Sequence, residues 1–191
     1  MSAGYFAIAD SEPVRQAQIH YGSRSAQARA ERHGDPPLTT EPRDRLTLDE
    51  REFIALRDGF YLASVSDTGW PYVQFRGGPP GFVHTPDPHT LAWADFRGNR
   101  QYISTGNISH DDRVALFFMD YPNRTRLKLF GRASIVDTRD HPELSAPLAV
   151  SGYRAVVERA VTVTVVSYDW NCPQHITPRF TLDELHQLDL P

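Results

Sequence analysis

Two patterns divide the 191-residue chain. Before residue 60 the caps and composition read as helices. From residue 60 onward the apolar positions come in short runs and alternations that read as strands. Residues 11–34, "SEPVRQAQIHYGSRSAQARAERHG", predict one polar helix. Ser11 is its candidate cap, Pro13 suits the first turn, and Gly34 ends it, although Gly22 weakens the middle. It has no strong apolar face, so it reads as an arm on the body or on a partner subunit. The proline-rich stretch 35–45 is a connector. Residues 47–59, "TLDEREFIALRDG", predict a second helix. Thr47 and Glu50 have capping-box spacing, Phe53, Ile54 and Leu56 form an apolar side, and Gly59 stops it.

The strand region opens with "FYLASVSDTGWPYVQF", a hairpin around "SDTG". "GFVH" and "TLAWAD" follow, separated by "TPDPH". Then come 114–121, 126–137 and 160–170, with a helical crossover expected over 140–160 and a short terminal helix over 181–188. Close spacing, with turns between most strands, points to a small antiparallel barrel of about six strands. The expected organisation is an arm and connector over 1–46 and one barrel domain over 47–191.

Composition narrows the chemistry. Apolar residues are 40% and charged residues 23% of the chain, as in a globular domain. A formal charge of −4 argues against a nucleic-acid binder, since such domains are usually basic. One cysteine, Cys172, excludes an intrachain disulfide and reads as structural, which fits a cytoplasmic setting. No apolar run approaches the ~20 residues a membrane-spanning helix needs, and the first residues lack the basic head and apolar core of a signal peptide. His84 and His89 flank a proline turn without metal-ligand context, so no metal is expected.

Three segments carry candidate anion chemistry. In "WADFRGNRQYISTGN", a helix over 98–105 would put Arg97, Arg100, Gln101 and Ser104 on one face. Gly98 and Asn99 would stand at its N-terminus, where free N–H groups favour an anion. Either the arginines hold a phosphate, or they pair on the surface with Asp95, Asp111 or Asp112. Tyr102 and Ile103 then fall on the far side, as core. In "VQFRGGPPGF", Arg76 closes a strand before glycines that permit close approach of a ligand. In "NRTRLKLFGR", Arg124, Arg126 and Lys128 share one strand face opposite Leu127 and Leu129.

These segments, in this order, resemble the pyridoxamine 5′-phosphate oxidase-like family of FMN-binding split barrels, over roughly residues 50–180. The resemblance implies a mainly β fold, a six-stranded antiparallel Greek-key split barrel with peripheral helices. It also implies a homodimer with FMN at the subunit interface. By position, the family's first phosphate-binding arginine falls on Arg76, and the backbone touching the flavin ring falls near Gly78 and Pro79. The aromatic residue closing the next strand falls on Trp93. The family's Ser-Arg-Lys phosphate cradle falls on Gly98, Asn99 and Arg100, of which only Arg100 keeps the charge. A family glutamine beside the ring falls on Arg126. The late Trp and Arg that reach the flavin from the other subunit correspond to Trp170 and Arg179. The terminal "TPRFTLDELHQLDLP" lacks the arginine- and histidine-bearing segment that grips substrate phosphate in true pyridoxamine phosphate oxidases. The resemblance therefore implies a related FMN-dependent oxidoreductase of unidentified small-molecule substrate. The alternatives are a flavin carrier or a split barrel using F420 or haem. His175 is either a substrate contact or a packed histidine.

Overall fold

The computed structural model describes residues 3–33 and 44–187. Seven strands form one antiparallel sheet: β1 (Gly59–Val65), β2 (Pro71–Gly77), β3 (Val83–Asp87), β4 (Thr90–Phe96), β5 (Arg113–Asp120), β6 (Thr125–Asp137) and β7 (Val157–Asn171). Their order is β2-β1-β5-β6-β7-β4-β3, one strand more than the sequence predicted. The β4–β5 connection carries α5 (Ile103–His110) and skips two strands. β2 and β3 are the edges, so the barrel is not closed by backbone hydrogen bonds.

Alternation sets the two faces. Phe60 and Leu62 of β1, Leu116 and Phe118 of β5, and Leu127 and Leu129 of β6 point inward and are all but fully buried. The sheet curls until Phe60 meets Trp93 of β4 edge-on, with ring centroids 5.1 Å apart. Gly131 marks a bulge in the β6–β7 pairing. A Cβ there would overlap Val163 Cγ1 and lie 2.9 Å from the Thr164 carbonyl oxygen. On the outer face, Tyr61, Val73 and Phe75 expose 37%, 60% and 57% of their surface, and Phe117 joins them. That patch is more apolar than a lone sheet face in water usually is.

The helices depart from expectation in places. The N-terminal segment is three helices: α1 (Ala3–Ala9), α2 (Glu12–His20) and α3 (Arg24–His33). The predicted single helix breaks at Gly22, whose φ of +77° is left-handed. Ser11 stands at the N-cap of α2 without a side-chain cap bond. Gly34 and most of the connector lie outside the described residues. α4 (Leu48–Ala55) has the expected capping box, but it ends at Ala55 with Leu56 as its C-cap, and Gly59 opens β1 instead. The crossover is a 3₁₀ turn and the four-residue α6 (Ser145–Leu148), and β7 claims its end. α7 (Leu182–Gln187) fills most of the expected terminal helix. Of the three cations expected on one strand face, Arg124 sits in a turn with φ of 53°. Lys128 is neutralised by Asp169 at 3.0 Å.

Candidate functional site

The stretch after β4 is not the helix the sequence suggested. Residues 97–102 run irregularly and α5 begins at Ile103. Arg100 (φ 62°) and Tyr102 (φ 55°) both take the left-handed conformation. Each costs about 1–3 kcal/mol for a non-glycine residue and persists where surroundings fix it. α5 supplies the anchor: Ser104 Oγ donates to Gln74 Oε1 of β2 (3.0 Å), and Asn107 Nδ2 donates to Ser64 Oγ of β1 (3.0 Å). The Asn99 side chain accepts from the Gln101 amide at 3.2 Å and shapes the loop. Tyr102 and Ile103 are exposed rather than core.

This loop forms one wall of a cleft of about 170 Å³. Gln74 and Arg76 come from β2, Arg159 from β7, and Gly98, Asn99, Arg100 and Tyr102 from the loop. Asp95 of β4, 3% exposed, lies beneath it. Arg76 Nη1 donates to Asp95 Oδ1 at 2.6 Å, while Arg159 donates to Oδ2 through Nη2 (2.6 Å) and Nε (2.9 Å). Arg76 Nε is buried without a hydrogen-bond partner among the described residues. Arg97 is half-exposed and pairs with Glu158 at 2.8 Å. Asp111 pairs with Arg113 and Asp112 with Arg132. So the surface pairings considered for Arg97 and Arg100 do not form. Arg100 makes no salt bridge among the described residues. A hydrogen bond with Tyr102 and nearby Glu158 raise its pKa above the ordinary arginine value. Arg97 holds the Glu158 carboxyl low. Burial works against the charge of Arg159, but Asp95, with Glu158 and Tyr102, outweighs it and raises its pKa.

A larger cleft of about 490 Å³ adjoins the first and shares Arg100, Tyr102, Thr105 and Arg159 with it. Arg126 and Arg179 line a third, of about 340 Å³, with Tyr61, Tyr121 and His175. The Arg179 guanidinium lies 5.0 Å from the Tyr121 ring centroid, and Arg126 Nε is buried without a partner. His175 is exposed at the rim with φ of 63°, so it is not a packed histidine. Cys172 is an exposed thiol. Arg126 is the second residue of the 13-residue β6, and Asp137, in the larger cleft, ends it. At about 3.3 Å per residue, these two positions stand roughly 35 Å apart along the strand.

The remaining expected residues fall elsewhere. Trp93 is 1% exposed and packs into the core. Gly78 sits beside the cleft-bearing strand, and a Cβ there would come within 2.6 Å of Phe82, with the 79–82 turn closed by Phe82 N–H to the Pro79 carbonyl. Trp170 donates its indole N–H to Glu50 of α4 at 2.6 Å and meets Phe53 edge-on. Arg76, Gly98, Asn99 and Arg100 are therefore brought together, Arg126 and Arg179 form a second group, and Trp93, Trp170, Gly78 and Pro79 line neither cleft. Sequence reasoning missed Asp95 as the hub and Arg159 altogether. An acid at the end of the apolar run "LAWAD" was the available signal for the first.

Residues 47–169 match the family model described as pyridoxamine 5′-phosphate oxidase. The fold is similar to that of HupZ from Group A Streptococcus, at a TM-score of 0.50 and 14% identity over 71% of this chain and 99% of that one. It is also similar to an FMN-binding protein from Syntrophomonas wolfei subsp. wolfei, at a TM-score of 0.50 and 11% identity, covering 64% of this chain and 83% of that one. At these identities the likeness speaks for the fold. No match was found among curated proteins.

Proposed function

The chain belongs to the pyridoxamine 5′-phosphate oxidase family, and from that premise we propose that it is an FMN-binding oxidoreductase acting on a small organic molecule. The cleft bounded by Arg76, Gly98, Asn99 and Arg100 supports this reading. Its fit to the phosphate of FMN rests on one observation above all. Arg76 lines the cleft with an Nε that is buried and has no hydrogen-bond partner among the described residues, beside an Arg100 that has no salt bridge among them. A buried donor without a partner costs about 1–3 kcal/mol, and an anionic oxygen removes that cost. Bound FMN would supply hydride chemistry at its ring. The chain's own residues bind and orient it. Arg76 and Arg100 hold the phosphate, and Gly98 and Asn99 leave the approach open.

The proposal includes a homodimer with the cofactor between subunits. The exposed apolar patch around Val73 and Phe75 supports it. In the dimer Arg126 and Arg179 of one subunit would approach the flavin held by the other.

Fluorescence titration of the purified protein with FMN tests the binding step. Quenching that saturates at one FMN per chain, with a flavin absorption spectrum, is expected. Absence of binding refutes the reading, and a Soret band in the protein as isolated would replace it with haem. Anaerobic bleaching of the bound flavin by NADH or NADPH tests the oxidoreductase step. Failure with either donor would favour a carrier.

A further inference from the structure

The resemblance assigns no role to Asp95 or Arg159, yet these two residues organise the cleft. Asp95 lies on β4, Arg76 on β2 and Arg159 on β7. β2 is a sheet edge that pairs with neither of the other two strands. Two guanidinium groups drawn this close repel each other in the absence of a counter-charge. Asp95, 3% exposed, divides its two oxygens between them: Oδ1 takes Arg76 and Oδ2 takes Arg159. A carboxylate held on one side by a single guanidinium bond and on the other by two has little freedom to rotate.

Neither arginine is used up by this contact. Arg76 Nε is buried and has no hydrogen-bond partner among the described residues. Arg159 spends Nε and Nη2 on Asp95 and Nη1 on Glu158 (3.2 Å), and Tyr102 takes a further bond, which leaves at least one of the five N–H donors an arginine carries. Arg159 borders both the smaller cleft and its larger neighbour, with its guanidinium 4.8 Å from the Tyr102 ring centroid. The charges also match a particular ligand. Arg76, Arg97, Arg100 and Arg159 face Asp95 and Glu158. Two positive charges are left over, and a phosphate monoester carries close to two negative ones at neutral pH.

We propose that Arg159 is a third guanidinium in contact with the phosphate, and that Asp95 is the positioning residue that aligns Arg76 and Arg159 for a dianionic monoester. The inference rests on the FMN reading for the identity of the ligand, not for the anion site itself. Riboflavin, which shares the ring and lacks the phosphate, is the internal control.

The test titrates wild type, Arg159→Gln, Arg159→Lys and Asp95→Asn with FMN and with riboflavin, following flavin fluorescence, and melts each protein without ligand. Arg159→Gln should lose about tenfold or more in FMN affinity, the scale of one charge-assisted hydrogen bond, with riboflavin affinity unchanged. Arg159→Lys should recover part of that loss, since an ammonium keeps the charge without the fork. Asp95→Asn should shrink the preference for FMN over riboflavin. A merely structural lesion would weaken both flavins alike. An unchanged FMN-to-riboflavin ratio in folded Arg159→Gln overturns the role of Arg159, and an unchanged ratio in Asp95→Asn overturns that of Asp95. If Asp95→Asn or Arg159→Gln does not fold, Arg159→Lys decides: wild-type FMN affinity there overturns the proposal. If wild type binds neither flavin, the FMN reading fails, and inorganic phosphate becomes the probe. Stabilisation of wild type by phosphate that is lost in the Arg159 variants upholds the site, and no response to phosphate overturns it.

Discussion

Removing the Glu50 side chain should cost far more than removing an ordinary helix-capping residue. Glu50 is 5% exposed. Its carboxylate accepts the Thr47 amide (2.8 Å) and hydroxyl (2.6 Å), which caps α4. It also accepts the Trp170 indole N–H (2.6 Å) and the Tyr168 hydroxyl (3.2 Å), both from β7. One side chain thus ties the helix to the longest strand. Glu50→Ala removes the cap, worth about 1 kcal/mol. It also removes two hydrogen bonds to a charged acceptor, each worth about 1.5–3 kcal/mol when buried. Trp170 is 37% exposed, so water recovers part of that loss. A total near 3 kcal/mol follows, or roughly 6–12 °C in Tm for a chain of this length. Urea unfolding followed by tryptophan fluorescence measures it, and a Glu50→Ala loss below about 0.5 kcal/mol, the range of an ordinary surface change, would refute the reasoning. The pH dependence gives an independent check. Burial pushes the Glu50 carboxyl up, but its hydrogen bonds win and hold it below the ordinary value. Its contribution is therefore complete above the unfolded-chain value near ~4.3 and fades as pH falls through the lower folded value. The stability gap between wild type and Glu50→Gln should be full at neutral pH and narrow in acid.

Two further outcomes are expected. Phe75→Asp puts a charge in the exposed apolar face, and light scattering should then find a folded monomer. A persistent dimer would move the interface elsewhere. Gly131→Val forces a side chain against Val163 and the Thr164 carbonyl at the bulge, and should destabilise by about 1–3 kcal/mol in a thermal melt. An unchanged melting temperature would show that the bulge relaxes freely.

Strand alternation made most of the sheet legible, because β1, β5 and β6 each bury one face and expose the other. The cap of α4 was readable for the same reason: Thr47 and Glu50 act locally, three residues apart. What failed depended on contacts distant in sequence. The helix expected at 98–105 begins later because Ser104 and Asn107 are tied to β2 and β1. Arg159 lies 64 residues from Asp95, in a stretch whose alanines and valines read as helical until β6 pairs with it as a strand. The resemblance puts Trp93 by position at the cofactor, and the sequence alone does not show its burial. β4 is covered on both faces, as its consecutive buried residues Leu91–Asp95 show, and this sends Trp93 into the core. The same double cover explains why Asp95 needs two cations.

The long β6–β7 ribbon carries a genetic consequence. If two copies pair so that each cofactor touches opposite ends of the ribbons, every site is a hybrid of two chains. A chain damaged at Arg76 and a chain damaged at Arg179 would each make a homodimer with two faulty sites. Mixed, they would assemble some heterodimers in which both lesions fall on one site and leave the other whole. Activity restored by mixing two inactive proteins is the signature such an arrangement leaves, and a site built within one chain has no means to produce it.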